Sequence, residues 1–171
     1  MTGIQDTLTK ASVALSASKI SYALIGGFAL AAHGVVRATV DIDMLVDGHK
    51  KDQAKKVLED AGFQTVHESN EVLQLSGLGQ LDLLFANRQP TQKMLQRAQT
   101  IQDFPAPVVS AEDIIGLKIQ AYKNDLKREF QDKADIQALL EKNKGLDFKL
   151  IKTYADLFNE WDFIQELRSR I

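Results

Sequence analysis

Apolar residues at Ile4, Leu8, Ala11 and Leu15 recur at spacings of three and four, which predicts an amphipathic helix ending around Ala17 to Lys19. The run Tyr22-Ala23-Leu24-Ile25 lacks that period and stops at Gly26-Gly27, as a short buried strand would. Phe28 to Gly34 is rich in helix formers and closes on glycine, the pattern of a short helix with its stop. From Val40 to Val46 the period drops to two. Val40, Ile42, Met44 and Val46 alternate with Asp41, Asp43 and Leu45, predicting a strand with one wholly apolar face. A helix follows over Lys50 to Ala61, with Ala54, Val57, Leu58 and Ala61 as its inner stripe and Gly62 at its end. Phe63 to His67, Glu71 to Leu75 and Gln80 to Phe85 read as three further strands.

After Pro105 and Pro107, which mark a connecting segment, the pattern turns helical. Ser110 and Asp113 resemble a capping box that launches a helix through Ile115, Ile119, Tyr122 and Leu126. A second helix is expected from Glu129 to Lys142. Beyond Gly145, Leu150, Ile151, Tyr154, Leu157 and Phe158 define a third, and Trp161, Ile164 and Leu167 a fourth. The expected class is α+β: a small mixed sheet flanked by helices over residues 1–105, with a C-terminal helical region over residues 106–171 packed on it.

Composition narrows the function classes. The 171 residues are 44% hydrophobic and 26% charged, as in ordinary globular proteins. No run is long and apolar enough for a membrane span, and no secretory leader is recognisable at the start, so no membrane association is expected. The absence of cysteine excludes disulfides and thiol catalysis and suits a cytoplasmic setting. His33, His49 and His67 lack metal-ligand spacing and read as surface or structural residues. A net charge of -2 argues against a protein that coats nucleic acid through many phosphate contacts.

The candidate chemistry lies in three acids. Asp41 and Asp43 leave the same face of their strand, about 6.5 to 7 Å apart along the chain, and such a pair can share divalent cations. Ordinary polar alternation is the bland alternative. Asp82 stands alone in the apolar run Leu81 to Phe85, where a carboxylate requires a cation or a donor. Gly26-Gly27 joins strand to helix, where free backbone N–H groups let a phosphate approach; a tight turn would need the same pair. Lys118 projects from an apolar helix face between Ile114 and Tyr122, so it needs an anion unless its stem is buried and its ammonium reaches water. Asp132 and Asp135 intrude on the next helix's inner side and could orient Lys118 or Arg37, or pair on the surface with Lys127 or Arg128.

Taken together, Gly26-Gly27, the stretch Arg37-Ala38-Thr39-Val40-Asp41-Ile42-Asp43 and Asp82 resemble the polymerase-beta-like nucleotidyltransferase superfamily. Within it, the likeness is to AbiEii-type nucleotidyltransferases of toxin systems and to small aminoglycoside nucleotidyltransferases. The resemblance implies the nucleotidyltransferase fold and a transfer using two magnesium ions, with Asp41 and Asp43 holding metal and triphosphate and Asp82 serving both metal and acceptor hydroxyl. It also implies nucleotide-binding roles for Gly26, Gly27, Arg37, Thr39, Lys118, Asp132 and Asp135. The expected partners are a nucleoside triphosphate, an acceptor that is RNA, a small molecule or a protein, and a cognate antitoxin. The competing readings are a non-catalytic nucleotide-binding or toxin-antitoxin module of the same fold, and a metal-dependent nuclease, which leaves Gly26-Gly27 and Lys118 unexplained.

Overall fold

The computed structural model describes residues 2–171. Its elements are α1 (Thr2–Ala17), β1 (Tyr22–Ile25), α2 (Gly26–Ala32), β2 (Asp41–Asp47), α3 (Lys51–Asp60), β3 (Gln64–Glu68), β4 (Val72–Ser76), β5 (Gln80–Ala86), α4 (Gln89–Arg97), β6 (Gln99–Thr100) and β7 (Pro107–Val108), followed by α5 (Ala111–Asn124), α6 (Glu129–Lys142), α7 (Phe148–Asp156) and α8 (Trp161–Ser169). They form two compact units. One holds the chain up to Ala29 together with Arg37–Val109, and the other holds Leu30–Val36 with Ser110–Ile171.

The first unit is built on a seven-stranded mixed sheet of order β3-β4-β5-β2-β1-β7-β6. Strand alternation sorts its residues onto two faces. Ile42, Met44 and Val46 of β2, Leu81, Leu83 and Phe85 of β5, and Leu73 and Leu75 of β4 are all buried on one of them. Against β2, β5 and α3 packs α1, whose Leu8, Ala11 and Leu15 are buried as their spacing predicts. Ala54 and Leu58 supply the buried stripe of α3. The other face carries Asp41, Asp43 and Asp82, and α4 packs against β2 and β5.

Three expectations need correction here. Val40 was assigned to the apolar face, but the strand begins at Asp41 and Val40 is 82% exposed. The helix α4 was not anticipated, because its polar sequence buries Met94 alone; Pro90 suits its first turn, where no intrahelical N–H partner is needed. Pro107 and Val108, read as connecting chain, form β7, which pairs in parallel with β1 through Leu24 and Val108. Proline is tolerated there as the first residue of a strand.

In the second unit Ser110 caps α5 by accepting from the Asp113 amide, as the capping pattern predicts. Both α6 and α7 pack on α5. Gly116 leaves room for Tyr154: a β-carbon there would stand 2.6 Å from the Tyr154 ring, whose hydroxyl donates to buried Asp113 at 2.6 Å. Ile164 and Leu167 are buried as expected, whereas Leu157, assigned to the inner stripe of α7, lies beyond the helix and is 65% exposed.

Candidate active site

Pairing register assembles the acids. Asp43 lies opposite Asp82 on the parallel pair β2 and β5, so two residues 39 positions apart become neighbours on one face. Ile25, at the end of β1, lies opposite Asp43 on the other side, and Gln74 of β4 lies opposite Asp82. With Asp41 one step along β2, the three carboxylates each offer an oxygen within 4.8 Å of the others, all half-buried.

Each acid is held from a neighbouring segment. The Thr39 hydroxyl donates to Asp41 Oδ1 at 3.1 Å, and the Gln74 amide donates to Asp82 Oδ2 at 3.3 Å. Asp43 is held by lack of space. Gly26 follows β1 directly with φ of 61°, and a β-carbon there would fall inside the contact distance of Asp43 Oδ2 and 2.7 Å from its Cγ. Only glycine combines that left-handed backbone with so close an approach. Gly27 meets Thr39 in the same way, its hypothetical β-carbon 2.7 Å from Thr39 Cβ. The glycine pair therefore sits against the acid strand, one glycine on Asp43 and the other on the threonine that braces Asp41. Arg37 is exposed two residues before Thr39.

Electrostatics separate Asp82 from an ordinary carboxylate. Burial pushes its pKa up, the Gln74 hydrogen bond opposes that rise, and the charge of Asp41 adds to it. The donor set suits a hard divalent cation. Opposite ligands of one magnesium ion stand roughly 4 Å apart, and paired ions about 3.5 to 4 Å apart share carboxylates, so an oxygen cluster of this span fits either arrangement with small side-chain rotations.

Lys118, Asp132 and Asp135 come together in the second unit. The Lys118 ammonium, 6% exposed, lies 2.7 Å from Asp132 Oδ1 and 2.6 Å from Asp135 Oδ2. Asp132 also accepts from Arg128 Nε at 3.1 Å, and Gln131 donates to Asp135 at 3.0 Å. Lys118 does not snorkel, since its ammonium is buried between two acids. Sequence reasoning did not single out Gln74. Its strand position was legible, but its pairing with Asp82 is a matter of register.

The sheet and the placement of its acids are consistent with the polymerase-beta-like nucleotidyltransferase superfamily. The chain belongs to the aminoglycoside-2''-adenylyltransferase family, whose model matches residues 7–139. Among solved structures it is similar to the antibiotic-resistance factor ANT(2'')-Ia in solution, with 16% identity, a TM-score of 0.67 and 96% of each chain covered. The crystal structure of ANT(2'')-Ia with adenylyl-2''-tobramycin gives 16% identity and a TM-score of 0.65, covering 88% of this chain and 94% of that one. The lincomycin-bound lincosamide antibiotic adenylyltransferase LnuA gives 19% identity and a TM-score of 0.54 over 75% of this chain and 91% of that one. At these identities the likeness establishes the fold. No curated protein matches the chain in sequence. Among the described residues, no helix is long and apolar enough to cross a membrane.

Proposed function

We propose that the chain transfers a nucleoside monophosphate from a nucleoside triphosphate to a hydroxyl of a small-molecule acceptor, releasing pyrophosphate. The observation that carries this reading is the convergence of Asp41, Asp43 and Asp82 from two strands, with oxygens within 4.8 Å of one another. Asp41 and Asp43 would hold magnesium and, through it, the triphosphate, and Asp82 completes the donor set. Bound magnesium supplies charge neutralisation of the phosphates. The acceptor hydroxyl oxygen forms a bond to the α-phosphorus while the bond from that phosphorus to the bridging oxygen breaks, and pyrophosphate carries away the bonding pair. The hydroxyl proton passes to Asp82, the carboxylate of the cluster that stands on the second strand, β5.

Gly26 and Gly27 bring the start of α2 against the acid strand, where its first N–H groups are suited to phosphate. Thr39 holds Asp41, and exposed Arg37 is the cation assigned to the triphosphate. Lys118, Asp132 and Asp135 already satisfy one another, so their role in this proposal is to tie α5 to α6. A small acceptor is favoured over RNA or a cognate antitoxin by the family and by ANT(2'')-Ia and LnuA, which carry antibiotics in their structures.

The test is pyrophosphate release from each of the four nucleoside triphosphates, with magnesium and with tobramycin or lincomycin as acceptor. Acceptor-dependent release is expected from the native chain. Asp82→Asn should abolish it while retaining nucleotide binding in the presence of manganese. Nucleotide binding by the native chain with no product from any acceptor would leave a binding module in place of an enzyme.

A further inference from the structure

The row of side chains that carries the acids continues past Asp82. Gln74 lies opposite Asp82, and His67 of β3 lies opposite Gln74, so Ile25, Asp43, Asp82, Gln74 and His67 occupy one line across five strands on one face. The place of His67 in that line depends on an irregularity. β3 and β4 pair as Gln64 with Ser76 and Thr65 with Leu75, then shift by one residue so that His67 meets Gln74. Continued without the bulge, the register would set Val66 opposite Gln74 and turn His67 to the face where Leu73 and Leu75 are buried. Bulges re-aim side chains in this way beside sites. Val66, the extra residue, is 67% exposed.

We infer that Gln74 and His67 form the acceptor side of the site and bind a small molecule bearing several hydroxyl and amino groups; this rests on the nucleotidyl-transfer reading above. Gln74 has its polarity fixed by Asp82. An ionised carboxylate only accepts, so Gln74 must present its NH2 group there, and its Oε1 is left as an acceptor for a donor on the ligand. The exposed His67 imidazole, roughly two strand spacings or ~10 Å from Asp82, offers one donor and one acceptor in its neutral form. A ligand carrying both hydroxyls and amines matches the acceptors of Gln74 and His67 and the His67 donor, and a hydroxyl over Asp82 is placed where its proton leaves.

The experiment reads the histidine ring resonances of the chain, free of metal and nucleotide, during titration with tobramycin and, separately, lincomycin. His33, His49 and His67 are the three histidines, and single substitutions assign them. Saturable movement of the His67 resonance with either antibiotic, while His33 and His49 stay in place, is the expected result. An unmoved His67 with both overturns the inference. In the kinetic arm, His67→Ala should raise the acceptor KM about tenfold and leave the triphosphate KM within about twofold, as loss of one ligand hydrogen bond would. Equal changes in both constants, or in neither, overturn it. If the native chain transfers no nucleotide while tobramycin still moves His67, the functional reading falls and the subsite stands.

Discussion

Replacing Gly26 with alanine separates backbone strain from damage to the acid cluster. Its φ of 61° is left-handed, which costs an L residue about 1 to 2 kcal/mol. The new methyl also falls on Asp43, 2.7 Å from Cγ, so that carboxyl must leave its rotamer at a further cost of about 0.5 to 1.5 kcal/mol. The expected destabilisation is about 2 to 3 kcal/mol, a fall of roughly 5 to 10 °C in Tm for a chain of this length. Gly145→Ala is the control, because its φ of 74° carries the same backbone penalty but a β-carbon there meets nothing within 4 Å. Thermal unfolding should therefore show a smaller loss for Gly145→Ala. Manganese titration without nucleotide should show native affinity for Gly145→Ala and an affinity roughly 10 to 100-fold weaker for Gly26→Ala, the range of effect when a residue that orients a metal ligand is altered. A Gly26→Ala chain that binds manganese as tightly as the native one would refute the claim that this glycine sets the position of Asp43.

Asp82→Asn should stabilise the metal-free chain at neutral pH. A folded-state pKa raised by burial and by Asp41 means the native state binds the proton more tightly than the unfolded one, so this group favours folding below its unfolded pKa and loses that contribution as pH rises through the folded value. Repulsion between carboxylates whose oxygens lie within 4.8 Å of one another is worth about 1 kcal/mol in water, so denaturation in EDTA should show a gain of about that size at pH 7, narrowing as the medium is acidified; a loss of stability at pH 7 contradicts the reasoning. Lys118→Met leaves Asp132 and Asp135 facing each other without their shared cation and should cost about 3 to 5 kcal/mol in urea denaturation. If the folded variant loses nucleotide affinity while keeping native stability, Lys118 is a ligand of the triphosphate and not a strut. Tyr154→Phe removes the hydrogen bond to buried Asp113 and should cost about 1.5 to 3 kcal/mol by the same assay, with triphosphate KM unchanged; a cost below 0.5 kcal/mol would show that this bond adds little.

What was legible in the sequence was whatever depends on period and punctuation. The spacing of Leu8, Ala11 and Leu15 gave α1, the run closed by Gly26-Gly27 gave β1, and Ser110 with Asp113 gave the start of α5, because each signal is local and each buried stripe is wide. The helix α4 escaped because it buries one methionine, too little for a periodic signal, and β7 escaped because two residues held by a parallel neighbour need no pattern of their own.

At the site the division is sharper. Asp41 and Asp43 could be paired from their spacing, since alternation along one strand puts both on one face. Bringing Asp82 and Gln74 to them requires the order of strands in the sheet, and placing His67 requires the one-residue shift between Thr65 and His67 as well. A single slip in pairing exchanges the two faces of a strand, so register decides here which polar residues of β3 and β4 share a face with the acids. Fixed apolar partners hold that register: Leu73 opposite Leu83 and Leu75 opposite Leu81 lie buried on the far face and oppose any slip of β4 past β5. The same leucines that form the core thus set Gln74 beside Asp82.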